Sequence, residues 1–137
     1  MKTHNLFISH SWNDSNSYDR LVDLLESKTN FLYRNYSVSR DDPIHNAGTD
    51  SLLTAAIQRK MKPCGVILIL AGVYATYSKW IIKEIRLAKS GFQVNKPIIA
   101  IELYGSERTS VPVKQAASRV VRWNSDSIVT AIRDLHN

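Results

Sequence analysis

An unbroken run of apolar residues, GVILIL at 65–70, constrains the fold of this chain more than any other stretch. A strand with one face in water alternates apolar and polar side chains, whereas this run contains no polar side chain. It is typical of a parallel strand that helices cover on both faces. The longest apolar run, 65–73, is also far shorter than the roughly 20 residues that a membrane-spanning helix needs.

Strand-like and helix-like patterns alternate along the rest of the chain. Short apolar or β-branched stretches predict five strands, at 5–10, 36–39, 65–70, 96–103 and 119–123. Apolar residues recur at helical spacing between them, in 18–25, in 52–57, in the helix that contains YSKWIIKEI (77–85), and in 128–135. A regular helix is not evident in 104–118.

Punctuating residues place the ends of several helices. Pro63 is predicted to stop the second helix, and Gly91 to follow the last turn of the third as its C′ residue. Ser125 or Asp126 is predicted to cap the last helix. Polar, turn-forming residues at 40–50 predict a loop between the second strand and the second helix.

Five strands that alternate with helices predict a single α/β domain over residues 1–137. Its sheet is expected to be parallel, with right-handed crossovers and helices on both faces. For five strands, the flavodoxin-like strand order 2-1-3-4-5 is the leading choice.

Composition and charge exclude several classes of function. The single cysteine, Cys64, excludes a disulfide framework and a cysteine-based zinc site, which suits a cytoplasmic location. Strand-like sequence from about residue 5 predicts no signal peptide, and no membrane partner is expected. The net charge of +6 comes from scattered bases without a nucleic-acid motif, so no nucleic-acid partner is predicted either.

The predicted topology also places a site. In a sheet of this order, ligands bind beyond the carboxyl ends of the strands, where the strand order reverses. That crevice lies between the loop after the first strand, SHSWND (9–14), and the loop after the third, AGVYATYSKW (71–80). The loop after the second strand, with Arg40, Asp41 and Asp42, borders the same opening.

One carboxylate stands beside the buried face of the helix that follows this crevice. At about 100° per residue, Ile81, Ile85 and Ala88 form its predicted inward stripe. Glu84 lies on a shoulder of that stripe, one turn after Trp80. A carboxylate in this position either helps to hold the fold or performs a task. The residues predicted to be solvated on the opposite side are Lys79, Lys83 and Arg86.

Several common enzyme motifs are missing from the sequence. A phosphoacceptor receiver needs an Asp at the end of the third strand, where Leu70 stands instead. There is no glycine-rich dinucleotide or triphosphate loop, and no nucleophile elbow surrounds Ser9 or Ser11. The four histidines show no metal-ligand spacing, so no metal is predicted.

The stretches LFISHSW (6–12) and SKWIIKEI (78–85), together with the loop after the second strand, resemble Toll/interleukin-1 receptor (TIR) domains. They are most similar to the TIR-like branch of bacterial Thoeris anti-phage systems. The resemblance covers nearly the whole chain and is strongest over 5–89. It implies an enzyme that cleaves NAD⁺ at the nicotinamide–ribose bond, with NAD⁺ as substrate and no bound cofactor. It also implies a cyclic ADP-ribose-type signal that diffuses to a partner effector protein and activates it.

The resemblance further implies which residues form the site. Glu84 matches the catalytic glutamate of the family, four residues after a Trp. The loop at 40–50 is implied to complete the site by self-association, so the isolated protein is expected to be nearly idle until triggered. Acidic residues in that loop depart from the family pattern, as does the lack of bases after the first strand. The implied substrate-binding residues are Ser9, His10, Ser11, Trp12, Arg40, Asp41, Tyr77 and Trp80.

A single carboxylate can serve such a reaction. Nicotinamide leaves as a neutral base, and what needs stabilising is the positive charge that develops on the ribose. Glu84 is expected to bind the ribose hydroxyls, Trp80 to stack on a base, and Arg40 to contact the pyrophosphate. Water as the acceptor gives ADP-ribose, whereas a site that excludes water favours a cyclic product.

Other interpretations of the same residues remain open at the level of sequence. Glu84 alone would commonly be a surface residue in an ion pair. Arg40 then belongs to a solvated turn, His10 is a hydrogen-bonded residue at a strand end, and Trp12 and Trp123 are packing anchors. Two alternative functions follow: a TIR adaptor without activity that works by self-association, and an enzyme similar to nucleoside deoxyribosyltransferases.

Overall fold

The computed structural model describes residues 2–9, 15–36, 49–71, 79–102 and 111–135, apart from the side chains at positions 15, 16, 79 and 80. In these ranges, strands and helices alternate. No helix among them is long and apolar enough to cross a membrane. The elements are β1 (Thr3–Ser9), α1 (Ser15–Glu26), β2 (Leu32–Asn35), α2 (Asp50–Met61), β3 (Val66–Leu70), α3 (Lys79–Ser90), β4 (Ile98–Ile101), α4 (Val111–Ala116), β5 (Arg119–Val121) and α5 (Ser125–Leu135).

The five strands form one parallel sheet in the order β2-β1-β3-β4-β5. The chain adds β2 on one side of β1 and then returns to add β3 on the other side, so the order reverses between β1 and β3. The predicted α/β fold class and the flavodoxin-like order 2-1-3-4-5 are therefore confirmed.

Helices cover both faces of the sheet, as predicted. Side chains alternate along a strand, so Leu68 and Leu70 of β3 pack with α1 and α5, whereas Ile67 and Ile69 pack with α2, α3 and α4. Every residue of β3 is buried, which explains why this strand has no polar position. Trp123 packs against the core on the α5 side, which confirms its predicted role as an anchor.

The second strand was predicted four residues too late. It runs from Leu32 to Asn35, and Tyr36, the one described residue of the predicted stretch 36–39, follows it with its amide donating to Leu6 O at 2.9 Å. Residues 37–39 lie outside the described ranges. β2 is an edge strand, and Leu32 is about half exposed. An edge strand buries few side chains, so its hydrophobic pattern is weak. The prediction therefore placed the strand in the segment that follows it.

Side chains cap two of the helices one residue before they begin. Thr49 Oγ1 accepts a hydrogen bond from Leu52 N at 3.1 Å, so α2 begins at Asp50, inside the predicted 40–50 loop. Asn124 Oδ1 accepts from Ser127 N at 3.0 Å at the start of α5. The prediction that Ser125 or Asp126 caps α5 is therefore wrong by one or two positions, because the asparagine preceding them takes the role.

The end of α3 and the existence of α4 show what local patterns can and cannot indicate. Gly91 follows α3 as predicted, and a Cβ at this position would lie 2.7 Å from Leu87 O, too close for any other residue without a shift. The stretch predicted to lack a regular helix contains α4. Its one buried residue, Val113, gives no periodicity to detect.

Candidate functional site

The candidate site lies at the carboxyl end of β1, beside the reversal of strand order. Ser9 is the last residue of β1, pairs with Ile69 of β3 and is only 1% exposed. Because side chains alternate along a strand, Ser9 points to the same face as Phe7, which packs in the core beneath α2 and α3. A hydroxyl is therefore buried on the face of the sheet that α3 covers.

Glu84 is buried on the helix that covers this face. It is 4% exposed, while Ile81 and Ala88 are fully buried and Ile85 is only half-buried. The buried stripe of α3 is thus centred near Glu84, which lies between Leu87 on one side and Ile81 and Ala88 on the other. The prediction that Glu84 lies on a shoulder of the stripe is wrong, because contacts with the sheet set the rotation of the helix and periodicity alone does not.

Burial changes the chemistry of this carboxyl group. Loss of solvation raises the pKa of Glu84 to about 8, and the nearby Ser9 hydroxyl opposes part of that rise by favouring the charged form. At neutral pH, the resting protein therefore holds Glu84 mostly protonated. A neighbouring positive charge would lower its pKa and restore the carboxylate.

Glu84 and Ser9 also leave polar atoms without partners. Within the described ranges, Glu84 Oε2 and Ser9 Oγ are buried and have no hydrogen-bond partner of ordinary geometry, although Ser9 lies near enough to influence the Glu84 carboxyl. A buried polar atom without a partner costs about 1–3 kcal/mol, and such atoms are rare in native proteins. A ligand with hydroxyl groups would satisfy both.

Comparison with known families gives this geometry a context. A family model described as Thoeris protein ThsB, TIR-like domain, matches residues 7–108, about three quarters of the chain. The chain belongs to the Thoeris ThsB TIR-like family. The match runs through β1 to β4 and includes both Ser9 and Glu84, so the predicted family is confirmed and a role in Thoeris defence follows. No curated protein matches the chain.

A second polar cluster in the TIR-like domain ties α3 to α2. Lys83 Nζ donates to Asp50 Oδ1 and, at 3.0 Å, to Thr54 Oγ1. Thr54 Oγ1 in turn donates to the Asp50 carbonyl oxygen at 2.9 Å. The Lys83 side chain is only 18% exposed, so the prediction that it is solvated is wrong. Lys83 is shielded because α2 packs beside α3 and its residues contact the lysine amine.

Sequence reasoning missed this cluster for a physical reason. Asp50 and Lys83 are 33 residues apart, and no local pattern connects them. The only available signal was an acid at the start of a helix, and such an acid is usually explained by the helix dipole alone. The contact exists because α2 and α3 are neighbours on one face of the sheet.

The structure brings together two of the predicted site side chains of the TIR-like domain, Ser9 and Glu84. Trp80 lies in the first turn of α3, one turn before Glu84, but its side chain is not among those described. The roles assigned to all of these residues remain predictions. The predicted site residues that lie outside the described ranges are His10, Ser11, Trp12, Arg40, Asp41 and Tyr77.

The one cysteine is not part of this site. Cys64 precedes β3, at the opposite end of the parallel strands from Ser9, and its thiol donates to Lys60 O at 3.6 Å. Burial raises the pKa of Cys64 to about 12, so the reactive thiolate is not formed at neutral pH. In the part of the chain that the structure describes, no three His, Cys, Asp or Glu side chains form a group that could hold a metal ion.

Proposed function

We propose that this domain cleaves NAD⁺ at the bond between nicotinamide and ribose, with Glu84 as the catalytic carboxylate. The observation that carries the proposal is the burial of Glu84 beside Ser9, each with an unpaired oxygen among the described residues. An uncompensated carboxyl in a core lowers stability, so a purely structural helix would place an apolar residue there. Membership of a TIR-like family supports the same reaction.

The two side chains would act on the ribose. As the glycosidic bond breaks, its electron pair leaves with nicotinamide, which becomes neutral, and positive charge develops on the ribose. Ionised Glu84 would stabilise that charge and accept hydrogen bonds from ribose hydroxyls, with Ser9 Oγ supplying a further hydrogen bond. The positive charge on the nicotinamide ring of bound NAD⁺, next to the ribose, would lower the pKa of Glu84 and so produce the carboxylate when it is needed.

The product that we propose is a cyclic ADP-ribose-type signal, which would diffuse to a partner effector protein and activate it. Support comes from the Thoeris family membership and from the burial around Glu84, because a site that excludes water favours attack by a group of the same molecule. We also propose that the resting protein is nearly idle until self-association or another trigger completes the site.

Incubation of the purified full chain with NAD⁺, with products separated by mass, tests this function. We expect nicotinamide release together with a cyclic isomer of ADP-ribose, and specific activity that rises with protein concentration or with lysate from infected cells. Linear ADP-ribose as the sole product would contradict the proposed product. A specific activity that does not change with protein concentration or with infected-cell lysate would contradict the proposed resting state.

The Glu84→Gln variant tests the mechanism itself, because it keeps shape and hydrogen bonding and removes the charge. Nicotinamide release should fall by about 10³-fold or more while the fold is retained. A folded Glu84→Gln protein that releases nicotinamide at nearly the wild-type rate would contradict the mechanism. Self-association without any NAD⁺ turnover would indicate an adaptor, and exchange of nucleoside bases without NAD⁺ turnover would indicate a deoxyribosyltransferase-like enzyme.

A further inference from the structure

We propose that Lys83, held by Asp50 and Thr54 of α2, is a positioning residue that sets the rotation of α3 and keeps Glu84 in the site. The inference rests on the proposed function for the importance of Glu84. The contact itself joins the residue next to Glu84 to a different helix. Through this contact, Asp50 and Thr54 would support the reaction although neither is predicted to touch the substrate.

α3 has an alternative rotation that would bury Ile85 more fully and would turn both Glu84 and Leu87 towards solvent. The apolar periodicity of its sequence favours an inward stripe of Ile81, Ile85 and Ala88, with Glu84 moved towards solvent. In the structure, Ile85 is only half-buried and Ile82 is exposed, while Glu84 occupies the stripe. The observed rotation therefore buries a carboxyl and exchanges Ile85 for Leu87, so apolar burial alone does not select it, and a contact outside the stripe can decide between the two.

Lys83 is well placed to provide that contact. Consecutive helix residues point about 100° apart, so Lys83 is directed sideways when Glu84 points inward. A rotation of about 40° would move a side-chain end by roughly 4 Å, because such ends lie about 5–6 Å from the helix axis. A movement of that size takes the Lys83 ammonium out of hydrogen-bond distance of Asp50 and Thr54 in its present rotamer. Leaving the observed rotation therefore requires breaking these bonds or changing the lysine rotamer.

A second ion pair in the same chain supplies a matched control. Lys28 Nζ donates to Asp126 Oδ1, and Asp126 lies in the first turn of α5, as Asp50 lies in the first turn of α2. The Lys28 side chain is 30% exposed, close to the 18% of Lys83. Lys28 follows α1, on the opposite face of the sheet from Glu84. Its loss should affect stability but not the site.

The test compares Lys83→Met with Lys28→Met in the full chain. For Lys83→Met, kcat for nicotinamide release should fall about 10- to 100-fold with KM within about threefold, because Glu84 is displaced while other substrate contacts remain. Lys83→Arg should restore most of the rate, since it keeps a cation that can reach Asp50. Lys28→Met should retain wild-type kcat. Thr54→Val, which removes one acceptor without a change in charge, should give a smaller fall than Lys83→Met and serves if Lys83→Met does not fold.

A second readout does not depend on activity. Carbon-13 NMR of labelled glutamate carboxyls, with the Glu84 signal assigned from Glu84→Gln, follows the titration of Glu84 directly. In Lys83→Met and Thr54→Val, the pKa of Glu84 should fall from about 8 towards its ordinary range, because rotation exposes the carboxyl to water. Loss of the Lys83 charge by itself would shift the pKa in the opposite direction.

The outcomes separate the two proposals. Unchanged kcat and unchanged Glu84 titration in folded Lys83→Met or Thr54→Val protein would overturn the positioning role, whatever the loss of stability. If wild-type protein does not cleave NAD⁺, the proposed function fails, and the titration alone decides the positioning role. A lowered pKa of Glu84 would then still support it, and an unchanged pKa would overturn it.

Discussion

α3 and α5 cover opposite faces of one sheet, yet they bury different kinds of residue at the same spacing. In α5, Ile128 and Ala131 are fully buried three residues apart. In α3, Ile81 is fully buried, and Glu84 stands three residues later, in the position that alanine holds in α5. The buried positions of α5 are apolar, as close packing requires, whereas α3 has a carboxyl at one of its buried positions.

The comparison indicates what Glu84 is for. A small apolar side chain is sufficient at this position, since α5 packs against the sheet with Ala131. A buried side chain such as Ile81 contributes about 1.5–3 kcal/mol, enough for α3 to tolerate a carboxyl that is unfavourable to bury. A residue that costs stability in a well-packed helix, beside an equally buried Ser9, is best explained by a task other than folding.

Exchanging the alanine of α5 and the glutamate of α3 should give the largest effect on stability. Ala131→Glu places a carboxyl and extra volume among apolar neighbours, with no hydroxyl from Ser9 nearby, and should cost about 4 kcal/mol or more, enough to unfold a marginal domain. Glu84→Ala should change the free energy of unfolding by no more than about 1 kcal/mol at neutral pH. Urea denaturation of both variants measures this. Equal losses in the two would show that α3 and α5 do not differ as argued.

The pH dependence of stability should distinguish the two helices next. The pKa of Glu84 is higher in the folded protein than in the unfolded chain, so the folded state holds the extra proton. Its contribution is complete below about pH 4.5 and is lost as pH rises through about 8. Between these limits, Glu84→Gln should gain about 2–4 kcal/mol relative to wild type. Denaturation midpoints from pH 4 to 9 test this, with the exposed Glu26→Gln as the control; parallel curves for all three proteins would count against it.

A smaller effect is expected in the kinetics. If the carboxylate form of Glu84 acts, kcat/KM should rise about tenfold per pH unit below about 8 and level off above it, because this ratio reports ionisation of the free enzyme. The profile of kcat should lie at lower pH, since the positively charged nicotinamide ring of bound NAD⁺ would lie near Glu84. Initial rates of nicotinamide release between pH 6 and 9 provide the measurement. A flat kcat/KM profile would contradict the role of burial in setting the resting state.

A small change in stability is also predicted for Trp80→Ala. The residue lies one position before the first buried isoleucine of α3, where α5 has the exposed Ser127. We expect KM for NAD⁺ to rise, with a loss of about 1 kcal/mol in stability, if Trp80 stacks on substrate. Melting and activity should be measured on one preparation. A loss of about 3–5 kcal/mol, with activity that follows the folded fraction, would show instead that Trp80 is a core residue.

How far the sequence predicted the fold depended on burial. β3 and β4 are fully buried, and their apolar runs were unmistakable. β2 is an exposed edge strand, and α4 has a single buried residue, so both gave weak patterns, and the first was misplaced and the second missed. The site followed the same rule. Glu84 and the end of β1 were found because helix, strand and family motif coincide there, while the Lys83–Asp50 contact had no local signal.

Local patterns were enough to predict α3, the spacing of its residues around the helix, and the position of Glu84 after the strand next to the reversal of strand order. Periodicity sets the angles between residues within a helix, but it does not set how the helix is turned against the sheet. That rotation was decided by tertiary contacts: Ile81 and Ala88 against β3, and Lys83 on Asp50 of a helix 33 residues earlier. Only the folded chain therefore places the Glu84 carboxyl in the centre of the buried stripe, beside Ser9, where its pKa rises because water is excluded.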